Sequence, residues 1–169
     1  MILGVMSDTH GNRRLMCEVA ATMEAAHGAT VIFHLGDDYD DGEALARAGH
    51  TVRTVPGLWC AAYRDGRIPR RLLETLDGVT VACAHAEKDL RHTERAAAVI
   101  LTGHTHRAAV CLLGRSLYVN PGHLAATRNR GQRASYAVVD IGPETVRAAI
   151  HEATGRVRTE IIVERARLA

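Results

Sequence analysis

Aromatic residues are scarce in this chain, with one Phe and one Trp among 169 residues. The core must therefore be aliphatic, built from Ala, Val, Ile and Leu, an inventory that suits helices and strands packed closely together. Lysine is scarcer still: Lys88 is the only one, and the remaining basic residues are arginines. A net charge of +2 is too small for the concentrated basic surface of a nucleic-acid binder, so nucleic acid is not indicated as a partner. The cysteines Cys17, Cys60, Cys83 and Cys111 are few, widely spaced and form no C-x-x-C, which excludes a disulfide framework or a cysteine-rich zinc module. Most are expected to be small buried hydrophobes. No apolar run approaches the length of a membrane span, and the opening MILGVMSDTH carries no basic leader or h-region. A soluble, cytoplasmic protein of one domain, residues 1–169, is the expectation.

What is present is an ordered alternation of strand-like and helix-like segments. ILGVM at 2–6 reads as a buried strand, and Asn12 as the N-cap of a helix carrying Leu15, Met16, Val19, Ala20 and Met23 at helical spacing, with Gly28 as its stop. TVIFHL, a short helix around 42–48 opened by Asp40 with Glu43, and TVRTV complete a βαβαβ pattern, which predicts a parallel sheet. Beyond the loop RDGRIPR, the runs RLLETL and VTVACA flank Asp77-Gly78 as a hairpin. A helix over 87–97 is expected next, then the strand AVILT. After it strands dominate: AAVCLL and SLYVN joined around Gly114, then SYAVVDI, TVRAAIH and RVRTEIIV. An α/β first half and an antiparallel second half suit two sheets packed face to face with helices outside.

Five strand-like runs end in polar or glycine-bearing segments: MSDTHGN, HLGDDYD, VPGLWC, AHAEKD and TGHTHR. In parallel α/β sheets such loops share one edge, the edge that binds ligands, so Asp8, His10, Asp37, His85, His104 and His106 are expected to converge. Asp8 with His10, and His104 with His106, are spaced two apart, so each pair can reach one centre. Carboxylate and imidazole without thiolate suit Mn²⁺, Fe, Zn²⁺, Co²⁺ or Ni²⁺. Six such groups exceed what one catalytic ion takes, and two metals sharing a carboxylate is the economical reading. Singly, Asp8 or His10 could cap the following helix and G-H-T-H could be a turn.

The set S-D-T-H-G-N, then G-D-x-x-D at 36–40, G-H-T-H at 103–106 and N-P-G at 120–122, resembles the calcineurin-like metallophosphoesterase superfamily, and in particular its small single-domain phosphodiesterases. The resemblance covers about residues 2–142. It implies a four-layer αββα sandwich of two mixed sheets flanked by helices, an α/β (α+β) fold. It also implies a centre in which Asp8, His10 and His106 hold one divalent metal, His85 and His104 the other, and Asp37 bridges. Manganese stands first among the candidate ions. Asp40 would be a partner orienting a histidine, or simply a helix cap. The implied reaction is in-line attack on phosphorus by a hydroxide between the metals, on a small phosphate-ester substrate, and small relatives often form homodimers.

Two segments depart from the family pattern. Where the family places Asn after the third glycine, as a ligand of the second metal, Gly57 is followed by Leu58, and Trp59 replaces the histidine that assists the leaving group in larger relatives. Where relatives carry His-Gly-His, this chain has His85-Ala86-Glu87. Cys60 and Glu87 are the conceivable replacement ligands. His123, after N-P-G, is a candidate general acid or a surface-loop imidazole. The arginines at 64–71 and in TRNRGQR are read as solvated by default. The alternative to an enzyme is an interaction scaffold on a decayed centre, as in the metallophosphoesterase-like subunit of retromer.

Overall fold

The computed structural model describes residues 1–169. Strand β1 (Ile2–Met6) leads into helix α1 (Arg13–His27), which Asn12 caps by accepting a hydrogen bond from the Leu15 N–H and which ends on Gly28 in the left-handed region. Strand β2 (Val31–His34), helix α2 (Tyr39–Arg47) and strand β3 (Val52–Thr54) complete the βαβαβ unit, with β1, β2 and β3 parallel. A short helix α3 (Ala61–Arg64) then carries the chain across to the second sheet.

There β4 (Arg71–Leu76) and β5 (Val79–Ala84) pair through the Asp77-Gly78 turn. Both turn residues take positive φ, as a two-residue hairpin turn matched to strand twist requires. After the one-turn helix α4 (His92–Arg95), strands β6 (Val99–Thr102), β7 (Ala109–Leu113) and β8 (Ser116–Asn120) finish this sheet. A ribbon of β9 (Arg128–Asn129) and β10 (Gln132–Arg133) follows, and β11 (Ser135–Ile141), β12 (Thr145–Glu152) and β13 (Val157–Glu164) return to the first sheet. The two mixed sheets run β13-β12-β11-β1-β2-β3 and β4-β5-β6-β8-β7.

The sheets pack face to face, as the two halves of the sequence predict. Alternation sends Leu3, Val5, Val31 and Phe33 inward to meet Val81, Cys83, Val99, Leu101, Leu117 and Val119 in one cluster. The opposite face of the first sheet is covered by α1 and α2 through Met16, Val19, Ala20, Met23 and Leu45. A Cβ on Gly4 would come within 2.5 Å of Met23 Sδ, so glycine there lets α1 seat closely.

Three expectations are corrected. The predicted helix 87–97 is a 3₁₀ turn at Glu87–Asp89 followed by α4, because extended Leu90 is pulled into a cluster with Ala82, Ala84, Ala97 and Ile100. The layer outside the second sheet is correspondingly thin. Helix α2 starts two residues early, with Asp38 at its N-cap, so Asp40 lies exposed in the first turn and makes no cap. Of the four cysteines only Cys83 is buried; Cys17 and Cys111 are exposed and Cys60 is half-buried.

Candidate metal centre

The six residues singled out by their strand-end positions all follow parallel strands at one edge: Asp8 and His10 after β1, Asp37 after β2, His85 after β5, and His104 and His106 after β6. Five of them, Asp8, His10, Asp37, His104 and His106, adopt positive φ, whereas only two other non-glycine residues do, Asp77 and Arg130. Left-handed backbone is costly for such side chains, of order 1–3 kcal/mol each, and persists only where the surroundings enforce it. The loops are bent to aim these groups.

Ligand-capable atoms of Asp8, His10, Asp37 and His106 lie within 4.8 Å of one another. His10 Nε2 is 2.7 Å from Asp37 Oδ2 and 3.1 Å from His106 Nε2, and His106 Nε2 is 3.2 Å from Asp8 Oδ1. Their partners leave the inner atoms available. Ser7 Oγ and the His104 N–H both donate to Asp8 Oδ2, at 2.6 and 2.8 Å, so Oδ1 faces inward. His106 Nδ1 donates to Asn129 Oδ1 at 2.9 Å, so in the neutral ring the lone pair is on Nε2, whereas the protonated ring also donates from Nε2 to Asp8.

His85 and His104 form the other half, with ring centroids 5.1 Å apart. His85 is fully buried and its Nδ1 donates to the Leu35 carbonyl at 2.7 Å. A carbonyl only accepts, so Nε2 carries the lone pair, and that buried nitrogen has no hydrogen-bond partner. It lies 3.8 Å from Asp37 Oδ1, while Asp37 Oδ2 faces His10. Asp37 thus presents one oxygen to each half. An orphaned buried imidazole lone pair, beside carboxylates and further imidazoles without thiolate, fits a divalent cation.

Burial opposes ionisation of Asp8, but hydrogen bonds from His106 and Ser7 outweigh it and hold the carboxyl below the usual range. The hydrogen bond to Asp8 raises His106 against burial. His104 is lowered, first by burial and then by His85.

Glycines set the approach of the loops. A Cβ on Gly57 would collide with Asp37 Cα and lie 2.5 Å from the Asp37 nitrogen. The VPGLWC segment is therefore seated on the backbone of Asp37. Its next residue, half-buried Leu58, brings no donor atom there, and Trp59 is 80% exposed. The Cys60 thiol donates to the Gly57 carbonyl at 3.2 Å, and Glu87 is an exposed partner of Arg95 at 3.0 Å; neither belongs to the close group of ligand atoms.

His123 is buried, not a surface-loop imidazole. Its Nε2 donates to the Gln132 carbonyl at 3.1 Å, its ring lies 5.4 Å from that of His106, and burial lowers its proton affinity. Asp40 touches no histidine, and the bracing expected of it is performed by Asp41. Buried Asp41 accepts from Thr9 Oγ1 at 2.6 Å, the Gly11 N–H at 3.1 Å and Arg13 Nε at 2.9 Å, which fixes the loop carrying His10. His34 sits behind it, Nε2 3.2 Å from Thr9 Oγ1, and burial pushes it down to about 4. The sequence gives a signal for Asp41 only through the α2 N-cap: with Asp38 at that position, Asp41 rather than Asp40 turns back to the loop. For Ser7, His34 and Asn129 it gives none.

No curated protein matches the sequence. Among solved structures, the chain is similar to a predicted phosphoesterase of Streptococcus pneumoniae at 25% identity, covering 97% of each chain with a TM-score of 0.71. It is similar in fold to Vps29 of Entamoeba histolytica at 16% identity, covering 97% of this chain and 99% of that one, TM-score 0.67. An archaeal phosphodiesterase is likewise similar in fold at 16% identity, covering 96% of this chain and 100% of that one, TM-score 0.69. The calcineurin-like phosphoesterase superfamily domain matches residues 1–144, and the ordered Asp and His edge described above lies within that span; the chain belongs to this superfamily.

Proposed function

We propose that this protein hydrolyses a small phosphodiester at a dinuclear divalent-metal centre, with manganese the first candidate and Zn, Fe, Ni or Co also admitted by the donor set. The observation that carries the reading is the division of Asp37, one oxygen toward His10 and the other toward the orphaned Nε2 of His85. Asp8, His10 and His106 would hold one ion, His85 and His104 the other, with Asp37 shared. When bound, such ions supply a nucleophilic water at neutral pH and neutralise charge on the phosphoryl oxygens.

The chain's own residues position and orient. Ser7 and the His104 N–H fix Asp8, Asn129 fixes the tautomer of His106, and the Leu35 carbonyl fixes that of His85. Leu58 leaves the second ion one ligand short of the family pattern, so that ion is the more weakly held. Cys60, turned onto its own loop carbonyl, and Glu87, paired with Arg95, are poorly disposed to replace the missing amide.

His123 is poorly disposed to protonate a leaving group. The Nε2 hydrogen of His123 is spent on the Gln132 carbonyl, and burial disfavours its charged form. Substrates whose leaving group departs unprotonated are therefore preferred. The manganese-loaded protein should hydrolyse bis(4-nitrophenyl) phosphate at least a hundredfold faster than an alkyl phosphate monoester, and comparable rates would overturn the preference.

Leu58 also supports a second reading, an interaction scaffold on a decayed centre. Against it stand five left-handed, non-glycine ligand residues, a strain that a scaffold has no use for.

A further inference from the structure

Trp59 is the only tryptophan of the chain and is 80% exposed, while every Phe and Tyr is buried or half-buried. One exposed apolar side chain is ordinary by itself, but this one is braced beside the metal edge. The Cys60 N–H and the Cys60 thiol both donate to the Gly57 carbonyl, at 3.3 and 3.2 Å, closing a turn with Leu58 and Trp59 at its tip. One end of the turn rests on Asp37, where a Cβ on Gly57 would strike the Asp37 backbone. Two residues of chain span at most about 7 Å, so the Trp59 backbone stays within about 11 Å of that of Asp37. Farther along, Tyr63 donates to Asp89 Oδ1 at 2.7 Å, in the 3₁₀ turn that follows His85. The segment is thus a strap from the Asp37 loop to the His85 loop, along the rim of the half-centre that those two residues frame. That edge is open to solvent: the His10 side chain is 45% exposed and His104 is half-buried.

An indole presents a flat π-face that stacks on any planar aromatic group, and it has only two side-chain torsions to fix on binding. Bracing the backbone on both sides of it lowers the ordering cost further. We infer that Trp59 is a stacking platform through which the centre selects phosphate esters carrying a planar aromatic group, a nucleobase or an aryl ring. This rests on the phosphodiesterase reading for the scissile group, but its test does not require turnover.

The probes are phosphonates whose P–C bond is not hydrolysed, 3-phenylpropylphosphonate, 3-cyclohexylpropylphosphonate and 9-(3-phosphonopropyl)adenine, alike in tether and differing in the group it carries. They are titrated calorimetrically into the zinc-loaded full chain, and the emission of its single tryptophan reports contact with the ring directly. The aromatic probes should bind about tenfold more tightly than the cyclohexyl one and shift or quench that emission. A further gain for adenine over phenyl assigns a nucleobase, and equal gains assign any aromatic ring. Trp59→Leu should abolish the preference at unchanged metal content, and Trp59→Phe, which keeps a π-face, should retain it. Equal binding of all three probes overturns the inference, as does a preference that survives in Trp59→Leu. Hydrolysis of bis(4-nitrophenyl) phosphate is measured alongside: if it is absent while the Trp59-dependent preference stands, the hydrolytic reading fails and the platform does not.

Discussion

His85 turns its unprotonated Nε2 to 3.8 Å from Asp37 Oδ1, in a fully buried position where no other partner reaches it. A buried polar atom without a partner is costly, about 1–3 kcal/mol, and a cation shared with Asp37 removes that cost.

The missing amide is testable by restoring it. Leu58→Asn would place an amide at the position proposed for the second ion's missing ligand, on a segment already seated against Asp37 by Gly57. The second ion should bind more tightly, on the order of tenfold, with kcat rising at limiting metal. Titration of metal-stripped protein with Mn²⁺, followed by calorimetry, checks it; an unchanged second affinity would show that Leu58 is not at the ligand's place.

Gly57 itself is fixed by contact. Gly57→Ala drives a methyl group into the Asp37 backbone, which has no flexible end to yield. Overpacking of this kind costs about 1–3 kcal/mol, and displacement of Asp37 should lower metal content as well. Gly66→Ala, where a Cβ meets nothing within 4 Å, is the control and should change neither stability by urea melt nor bound metal.

Buried His34 makes stability depend on pH. Its proton affinity is pushed down to about 4 by burial, below the ordinary 6.5, so the unfolded chain binds the proton first. Its contribution is therefore complete above pH 6.5 and is lost as pH falls toward 4, about 3 kcal/mol in total. Buried His123 and His151 are lowered too and act in the same direction. Urea unfolding of His34→Gln across this window should show a shallower loss than the native chain; equal slopes would remove His34 from the account.

The edge of the sheets was legible because a ligand-type residue at a strand end announces itself twice, by residue type and by the apolar run before it. The convergence of Asp8, His10, Asp37, His85, His104 and His106 at one edge was legible that way, and the two-sheet arrangement followed from the change of pattern near residue 71. What supports those side chains was not legible. Whether Asp40 or Asp41 braces the His10 loop depends on a two-residue shift of the α2 N-cap, and helix boundaries carry that uncertainty in any sequence. Asn129 reaches His106 from a two-residue ribbon too short to show periodicity. The burial of His123 depends on Gln132, brought across by that same ribbon, and a single N-P-G-H says nothing of it.

Metal content and hydrolysis measured together on the native chain and on Asp37→Asn test the central claim most directly. The substitution removes a charge from the group shared by both halves of the centre and keeps its shape. Native protein should purify with, or take up, stoichiometric divalent metal and cleave bis(4-nitrophenyl) phosphate, and Asp37→Asn should lose bound metal and at least a hundredfold in kcat/KM. Cleavage that is undiminished in Asp37→Asn, or that persists in chelator-treated native protein, would contradict a metal-centred phosphoesterase.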